Sequence, residues 1–292
     1  MIHARAALAA IGASLAVAPA FASSDEPLDR IIVTGARAPL SIGAIGSAVT
    51  VITRDDIERR QARYVADLLR QVPGFAVSQS GVAGSQTQVR VRGAEANHVL
   101  VLVDGTRAND PATGDEFRWE FLTTANIERI EIVRGPQSAI WGSDALAGVV
   151  NIITRSGGAE PSLDGYIETG AHDTLNNALN GTVQAGEWRL GASYERLSTD
   201  GGNIARSGTE DDRSDATTTA LNVSWDGRRD VSVRLSARSV DAYSQYDTVD
   251  YTITGLPADS DVALATTQQV AQLAVVAGSG DARVRHRIAA RH

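Results

Sequence analysis

The chain has no cysteine and a single methionine among its 292 residues. Disulfides and thiolate metal sites are therefore excluded as sources of stability or chemistry. Lysine is absent as well. All 27 basic side chains are arginine, set against 35 acids, and the net charge of −8 argues against a nucleic-acid binder, which presents a basic face. No apolar run approaches the roughly 20 residues that a membrane-crossing helix needs, so any passage through a bilayer has to be made by strands. The patterns HExxH and GxSxG and the phosphate-binding P-loop are missing. The five histidines, His3, His98, His172, His286 and His292, give no nucleophile-and-base pair. The chain is read as no enzyme, with no cofactor serving as a catalyst.

What is present begins with an export signal over residues 1–22. Arg5 supplies the positive start, residues 6–18 the apolar stretch, and Ala20-Phe21-Ala22 the small-x-small cleavage site. A buried N-terminal helix is the alternative, but the stretch has no amphipathic stripe. Residues 23–45 form a polar, Gly/Ala-rich arm interrupted by one β-branched patch, Ile31-Ile32-Val33.

Residues 46–155 mix helix and strand periods, which predicts a small α+β domain. A β-branched run at 48–52 leads to Thr53 as N-cap, followed by Asp55, Asp56 and Glu58 in the first helical turn. A second helix over 64–69 stops at Pro73-Gly74. Strands are expected to end near Arg90-Val91-Arg92-Gly93 and to run over 98–103, 127–133 and 149–154, with a turn at Asp104-Gly105.

After residue 160 the period becomes two. Trp188, Leu190, Ala192 and Tyr194 alternate with Arg189, Gly191, Ser193 and Glu195; Leu221, Val223 and Trp225 alternate with Asn222 and Ser224; Val231, Val233, Leu235 and Ala237 alternate with Ser232, Arg234, Ser236 and Arg238. A weaker alternation covers 272–277. Segments of about ten residues with one apolar and one polar side suit a transmembrane β-barrel with a wet lumen, with Trp188, Tyr194 and Trp225 in its aromatic girdles. A soluble β-sandwich alternates in the same way, and periodicity alone does not separate the two. The export signal favours the barrel. About seven strands are expected, near 162–171, 175–185, 187–199, 216–226, 230–242, 265–278 and 282–292.

Three stretches carry a family resemblance: Asp29-Arg30-Ile31-Ile32-Val33-Thr34; residues 88–104, QVRVRGAEANHVLVLVD, with Gly105; and residues 134–154, RGPQSAIWGSDALAGVVNIIT. In this order and spacing the chain resembles the TonB-dependent outer-membrane receptors, and within them the cobalamin (vitamin B12) receptors most. The likeness runs over about 29–155. It implies a plug domain followed by the first strands of an antiparallel transmembrane β-barrel, here incomplete, since such barrels have on the order of 22 strands. The unfinished alternation at 283–288 and the lack of a terminal aromatic read as a fragment or truncated gene product, which on its own would be a non-transporting plug or binding module.

The resemblance also implies roles. Asp29, Arg30, Ile31, Ile32, Val33 and Thr34 would form the box that the periplasmic partner TonB grips by strand addition. Arg90, Arg92, Gly93, Asp104, Gly105, Arg134, Gly135, Pro136 and Gly142 would shape the plug and its gating. Arg90, Arg92 and Arg134, with Glu128 and Glu131, would pair with a polar barrel wall, or remain ordinary solvated charges. Plug loops at 79–88 and 107–118 would meet a corrinoid, or a ferric siderophore in the alternative reading. Outer-membrane lipid would surround the barrel. Acidic residues of two external loops, Glu210, Asp212, Tyr246 and Asp247 with Asp259 more loosely, would hold Ca²⁺, which takes six to eight oxygens. Asn203 stands where the calcium pattern has an aspartate, which weakens the site, and solvated acidic loops are the alternative. Replacing Ile32 by Pro should abolish uptake and leave surface binding of the ligand intact; unchanged uptake in a labelled-ligand assay would remove the box assignment.

Overall fold

The computed structural model describes residues 46–158, 160–205, 208–227, 231–251, 253–279 and 282–291, with side chains as far as residue 275. The expected export signal and the arm with its box lie outside the described residues.

The first unit follows from its caps and apolar runs. Strand β1 (Ala48–Thr53) ends at Thr53, which caps α1 (Arg54–Arg60) in a reciprocal box with Asp56. Helix α2 (Val65–Leu69) follows, then the hairpin β2 (Phe75–Gln79) and β3 (Thr87–Val91). Next come β4 (Val99–Val103), β5 (Thr106–Arg107), β6 (Ile127–Arg134), the short helix α3 (Ser138–Trp141) and β7 (Gly148–Thr154). His98, expected to open β4, lies in a 3-10 turn over Ala96–His98 instead. The apolar run that pays for burial starts only at Val99.

The main sheet has the order β1-β6-β7-β4-β5, antiparallel except for the parallel pair β4/β7. Strand β4 is buried on both faces, which explains its unbroken Val-Leu-Val-Leu-Val. Val99, Val101 and Val103 join the larger core with Ile130, Ile132, Leu68 and Leu69, whereas Leu100 and Leu102 meet Ala145 and Val149 on the other side, under Trp141. At the β4–β5 turn Asp104 and Gly105 both take left-handed backbone, at φ 50° and 77°, as the tightest hairpin turns require.

The second unit is a seven-stranded antiparallel meander: β8 (Ser162–Thr169), β9 (Leu175–Ala185), β10 (Trp188–Thr199), β11 (Ser214–Asp226), β12 (Ser232–Val249), β13 (Pro257–Ser279) and β14 (Ala282–Arg291). Strands β8 and β14 stand at its two edges, so the sheet is unclosed. Its faces are inverted relative to a soluble protein. Outward stand Leu163, Ile167, Leu179, Trp188, Leu190, Tyr194, Leu221, Leu235 and Leu273, all exposed. Inward and buried are Asn176, Asn180, Glu195, Thr218, Asn222, Ser224, Arg238 and Gln272. A sandwich would bury the first set and expose the second, so the inversion separates the two readings that periodicity left open. Trp188 and Trp225 are cross-strand partners at the short-turn end, with ring centroids 6.2 Å apart, a place that suits an interfacial girdle.

The first unit packs on the inward face. Phe121 sits with Ala216, Val240 and Ala242, and Val270 packs against the larger core. Gly84 comes so close to the wall that an added Cβ would lie 2.1 Å from the Ser214 hydroxyl oxygen. Truncating the fully buried Ile132 to Ala should cost about 2–5 kcal/mol of plug stability, read as faster amide exchange across β6 and β7.

Candidate functional site

Among the described residues, the arginines expected to reach the wall stay with the plug. Arg134 donates to the Pro73 carbonyl and the Thr50 hydroxyl, each at 2.9 Å. Arg90 donates to Gln88 Oε1 at 2.7 Å and Ser78 Oγ at 3.3 Å. Arg92 is exposed in a turn, with φ 53° followed by Gly93 at 79°. Glu131 pairs with Arg129 at 2.9 Å inside β6, and Glu128 is exposed. No described ion pair involves Arg90, Arg92 or Arg134. The plug-to-wall ion pairs that do form are Arg63 with Glu168 and, at the exit from the plug, Arg155 with Asp164, both on β8, and the Thr123 hydroxyl donates to the buried Glu195 of β10. The first was not legible beforehand, because nothing in the sequence ties Arg63 to a residue 105 positions later.

The remaining plug positions are structural corners. The Gly135 amide donates to the Ala147 carbonyl at 2.9 Å, Pro136 is exposed beside it, and Gly142 caps α3 with φ 92°. The loop after β5 is tied down by the buried Asn109, which accepts from the Val101 amide at 2.8 Å and donates to the carbonyls of Val99 at 3.0 Å and Asp115 at 2.8 Å. The loop after β2 is folded on itself, with the Ser80 amide on the Gln86 carbonyl at 3.1 Å, and rests against the wall through Gly84.

The acidic residues of the external loops converge. Between the pairs Tyr246/Val262 and Thr248/Ala258 the β12–β13 ladder is irregular, so Asp247 faces a bulge holding Asp259, Ser260 and Asp261. The loop between β10 and β11 lies over this point. Asn203 Nδ2 donates to Asp259 Oδ1 at 2.6 Å, and the Ala205 amide donates to Asp247 Oδ2 at 3.0 Å. Carboxylate oxygens of Glu210, Asp247 and Asp259 lie within 4.8 Å of one another. Asp212 is only 2% exposed, and its Oδ1 and Glu210 Oε1 have no hydrogen-bond partner among the described atoms. Tyr246, one residue before the bulge, is half-buried. Burial, then Asp247, Glu210 and Asp259, push the Asp212 carboxyl up to about 6. Burial and the neighbouring Asp261, Asp259 and Asp247 raise Glu210 as well. Carboxylates crowded together, with Asp212 buried among them, repel one another unless a cation or protons intervene. The oxygens gathered here are of the kind that hard divalent ions take. Asn203, which stands where the calcium pattern has an aspartate, contributes to this cluster the hydrogen bond to Asp259.

A plug seated on the polar inner face of a lipid-facing antiparallel sheet defines the class of plugged outer-membrane receptors. Residues 42–149 match the TonB-dependent receptor plug domain. The chain thus carries a TonB-dependent receptor plug domain, followed by a run of antiparallel barrel-type strands. It is 40% identical over 152 residues to the vitamin B12 transporter BtuB of Vibrio vulnificus, a match spanning 52% of this chain and 24% of that protein. Its fold is similar to that of the siderophore receptor PiuA of Acinetobacter baumannii, with TM-score 0.67 and 17% identity over 87% of this chain and 37% of PiuA. It is also similar to the pyoverdine receptor FpvA of Pseudomonas aeruginosa, with TM-score 0.68 and 15% identity over 88% of this chain and 39% of FpvA. The matched part is thus well under half the length of each of these relatives.

The sign of the Asp212 shift gives a prediction. A carboxyl raised from 3.8 to about 6 in the folded protein destabilises its loop only where it must ionise. Without added cation, protection of residues 200–213 against amide exchange should be highest below pH about 4, fall as pH rises, and be lowest above about 6. Asp212→Asn should weaken that dependence, leaving the part due to the raised Glu210.

Proposed function

We propose that the chain is the plug-bearing part of an outer-membrane receptor that takes up cobalamin or another corrinoid, with TonB supplying the work through residues 29–34. The observation that supports this ligand is the 40% identity to a vitamin B12 transporter. The siderophore receptors, under 20% identical, share the fold alone. The inward polar face and the plug fit the transport step. A barrel whose lumen is filled by a separate domain admits a solute only when that domain shifts, and polar contacts between the two can be exchanged for water at small net cost. An outer membrane has no local energy source, so the shift needs an extended grip reaching the periplasmic side, for which Ile31-Ile32-Val33 has the right β-branched character.

In the same reading Glu210, Asp212, Asp247 and Asp259 hold a divalent cation of the calcium type, which neutralises the crowded carboxylates and joins the β10–β11 loop to the β12–β13 hairpin. Loops joined in this way form a fixed rim for a bulky ligand.

Uptake of labelled cobalamin, compared with ferric siderophores, by cells expressing the receptor tests the ligand. Cobalamin should accumulate only when TonB is present; accumulation of a siderophore alone would replace the ligand. Calorimetry with Ca²⁺ tests the ion site, with binding expected to strengthen as pH rises through about 6 as Asp212 gives up its proton. Absence of heat at millimolar ion would retire the site.

A further inference from the structure

On the lumenal face of the sheet, one row of residues crosses three strands. Asn222 of β11 stands opposite Ser236 of β12, and Ser236 opposite Gln272 of β13. The amides at the two ends of the row reach the plug. Gln272, buried, accepts a hydrogen bond from the Thr106 hydroxyl at 2.7 Å and donates one to the Asp104 carbonyl oxygen at 2.6 Å. It thereby straddles the left-handed β4–β5 turn. Asp104 in turn accepts from the Thr154 amide at 2.9 Å and the Thr154 hydroxyl at 2.7 Å. The same hydroxyl accepts from Asn222 Nδ2 at 2.7 Å, and Asn222 also donates to the Arg155 carbonyl at 3.0 Å. Two residues along β12 from Ser236, the buried Arg238 lies within electrostatic reach of Asp104 in the plug and Glu195 in the wall.

These contacts have a common logic. Asp104 and Thr154 stand at the carboxyl ends of β4 and β7, the parallel pair at the centre of the plug sheet. Thr154 and Arg155 are also where the chain leaves the plug for the wall. A buried side-chain amide is costly unless both its ends are bonded, and Gln272 spends both on the plug, none on the strands beside it among the described bonds. A residue needed only for the barrel would bond its own sheet or face open water.

We propose that Gln272 and Asn222 are plug-positioning residues, a lumenal clamp reaching from β13 and β11 to the Asp104–Gly105 turn and the Thr154–Arg155 exit. The clamp rests on the receptor reading above and deepens it by naming wall residues that fix where the plug sits. Each contributes from a different strand, so the grip depends on the register of β11, β12 and β13 being kept.

Amide exchange in the whole protein, in bilayers and without ligand, tests this. Gln272→Ala should speed exchange at residues 104–106 by about tenfold, the effect of losing two net hydrogen bonds, while Ile130 and Ile132 in the plug core keep their protection. Asn222→Ala should do the same at Thr154 and Arg155, and reads the clamp independently if Gln272→Ala fails to fold. Gln272→Glu sets a buried acceptor, charged at neutral pH, against the Asp104 carbonyl oxygen, so it should loosen residues 104–106 at least as much as Gln272→Ala. Unchanged protection at 104–106, or loosening confined to the β12–β13 ladder, would overturn the clamp. No ligand or uptake enters the measurement, so its failure leaves the receptor reading standing, and failure of cobalamin uptake leaves the clamp untouched.

Discussion

A strand placed in hydrocarbon has to satisfy every backbone N–H and C=O on a neighbouring strand, because lipid offers no partner. That constraint orders the whole second unit. It demands a continuous antiparallel ladder from β8 to β14, assigns leucine, tryptophan and tyrosine to the outside, and leaves the inside to asparagine, threonine, glutamate and glutamine. A polar interior cannot pack as an oil-like core, so it is filled by a domain with a core of its own and polar groups at its margin. The plug meets that need. Its apolar residues face each other across the β1-β6-β7-β4-β5 sheet, while Thr106, Thr123, Thr154 and Arg63 are left for the wall.

The external loops obey a different balance. Above the apolar band nothing forces the ladder to be regular, and at Asp247 it is not. The irregularity gathers carboxylates that an ideal hairpin would keep apart. Asn203 and the Ala205 amide each bond one of them, but Asp212 and Glu210 each keep one oxygen without a partner among the described atoms. Such a site stores repulsion that a cation or protons can relieve, which links loop order to ionic conditions.

What could be read beforehand follows from the same physics. Strand β9 and strand β10 were legible almost to the residue because lipid on one side and water on the other enforce a period of two. β12 and β13 continue beyond the expected 242 and before the expected 265, to Val249 and from Pro257, since both their faces are wet there and the alternation fades into Ser244, Gln245 and Tyr246. Thr53 announced α1 because a cap is a local signal. Asn109 and Gln272 did not announce themselves, since a polar residue that closes a distant backbone group looks like any surface amide. The one usable hint at Gln272 was a long amide in the inward register of a weakly alternating strand. Among the described residues the plug arginines Arg90 and Arg134 bond to nearby carbonyl and hydroxyl oxygens, a kind of local partner that charge alone does not announce.

The length of β13 has a consequence of its own. Its 23 residues, at about 3.3 Å each and tilted by about 40°, climb on the order of 55 Å, against a hydrocarbon layer of about 30 Å. The hairpin therefore stands clear of the lipid headgroups, like a mast above a deck. The carboxylates at Asp247 and Asp259 stand towards the far end of that hairpin, so the rim they form is set by the composition of the water around it.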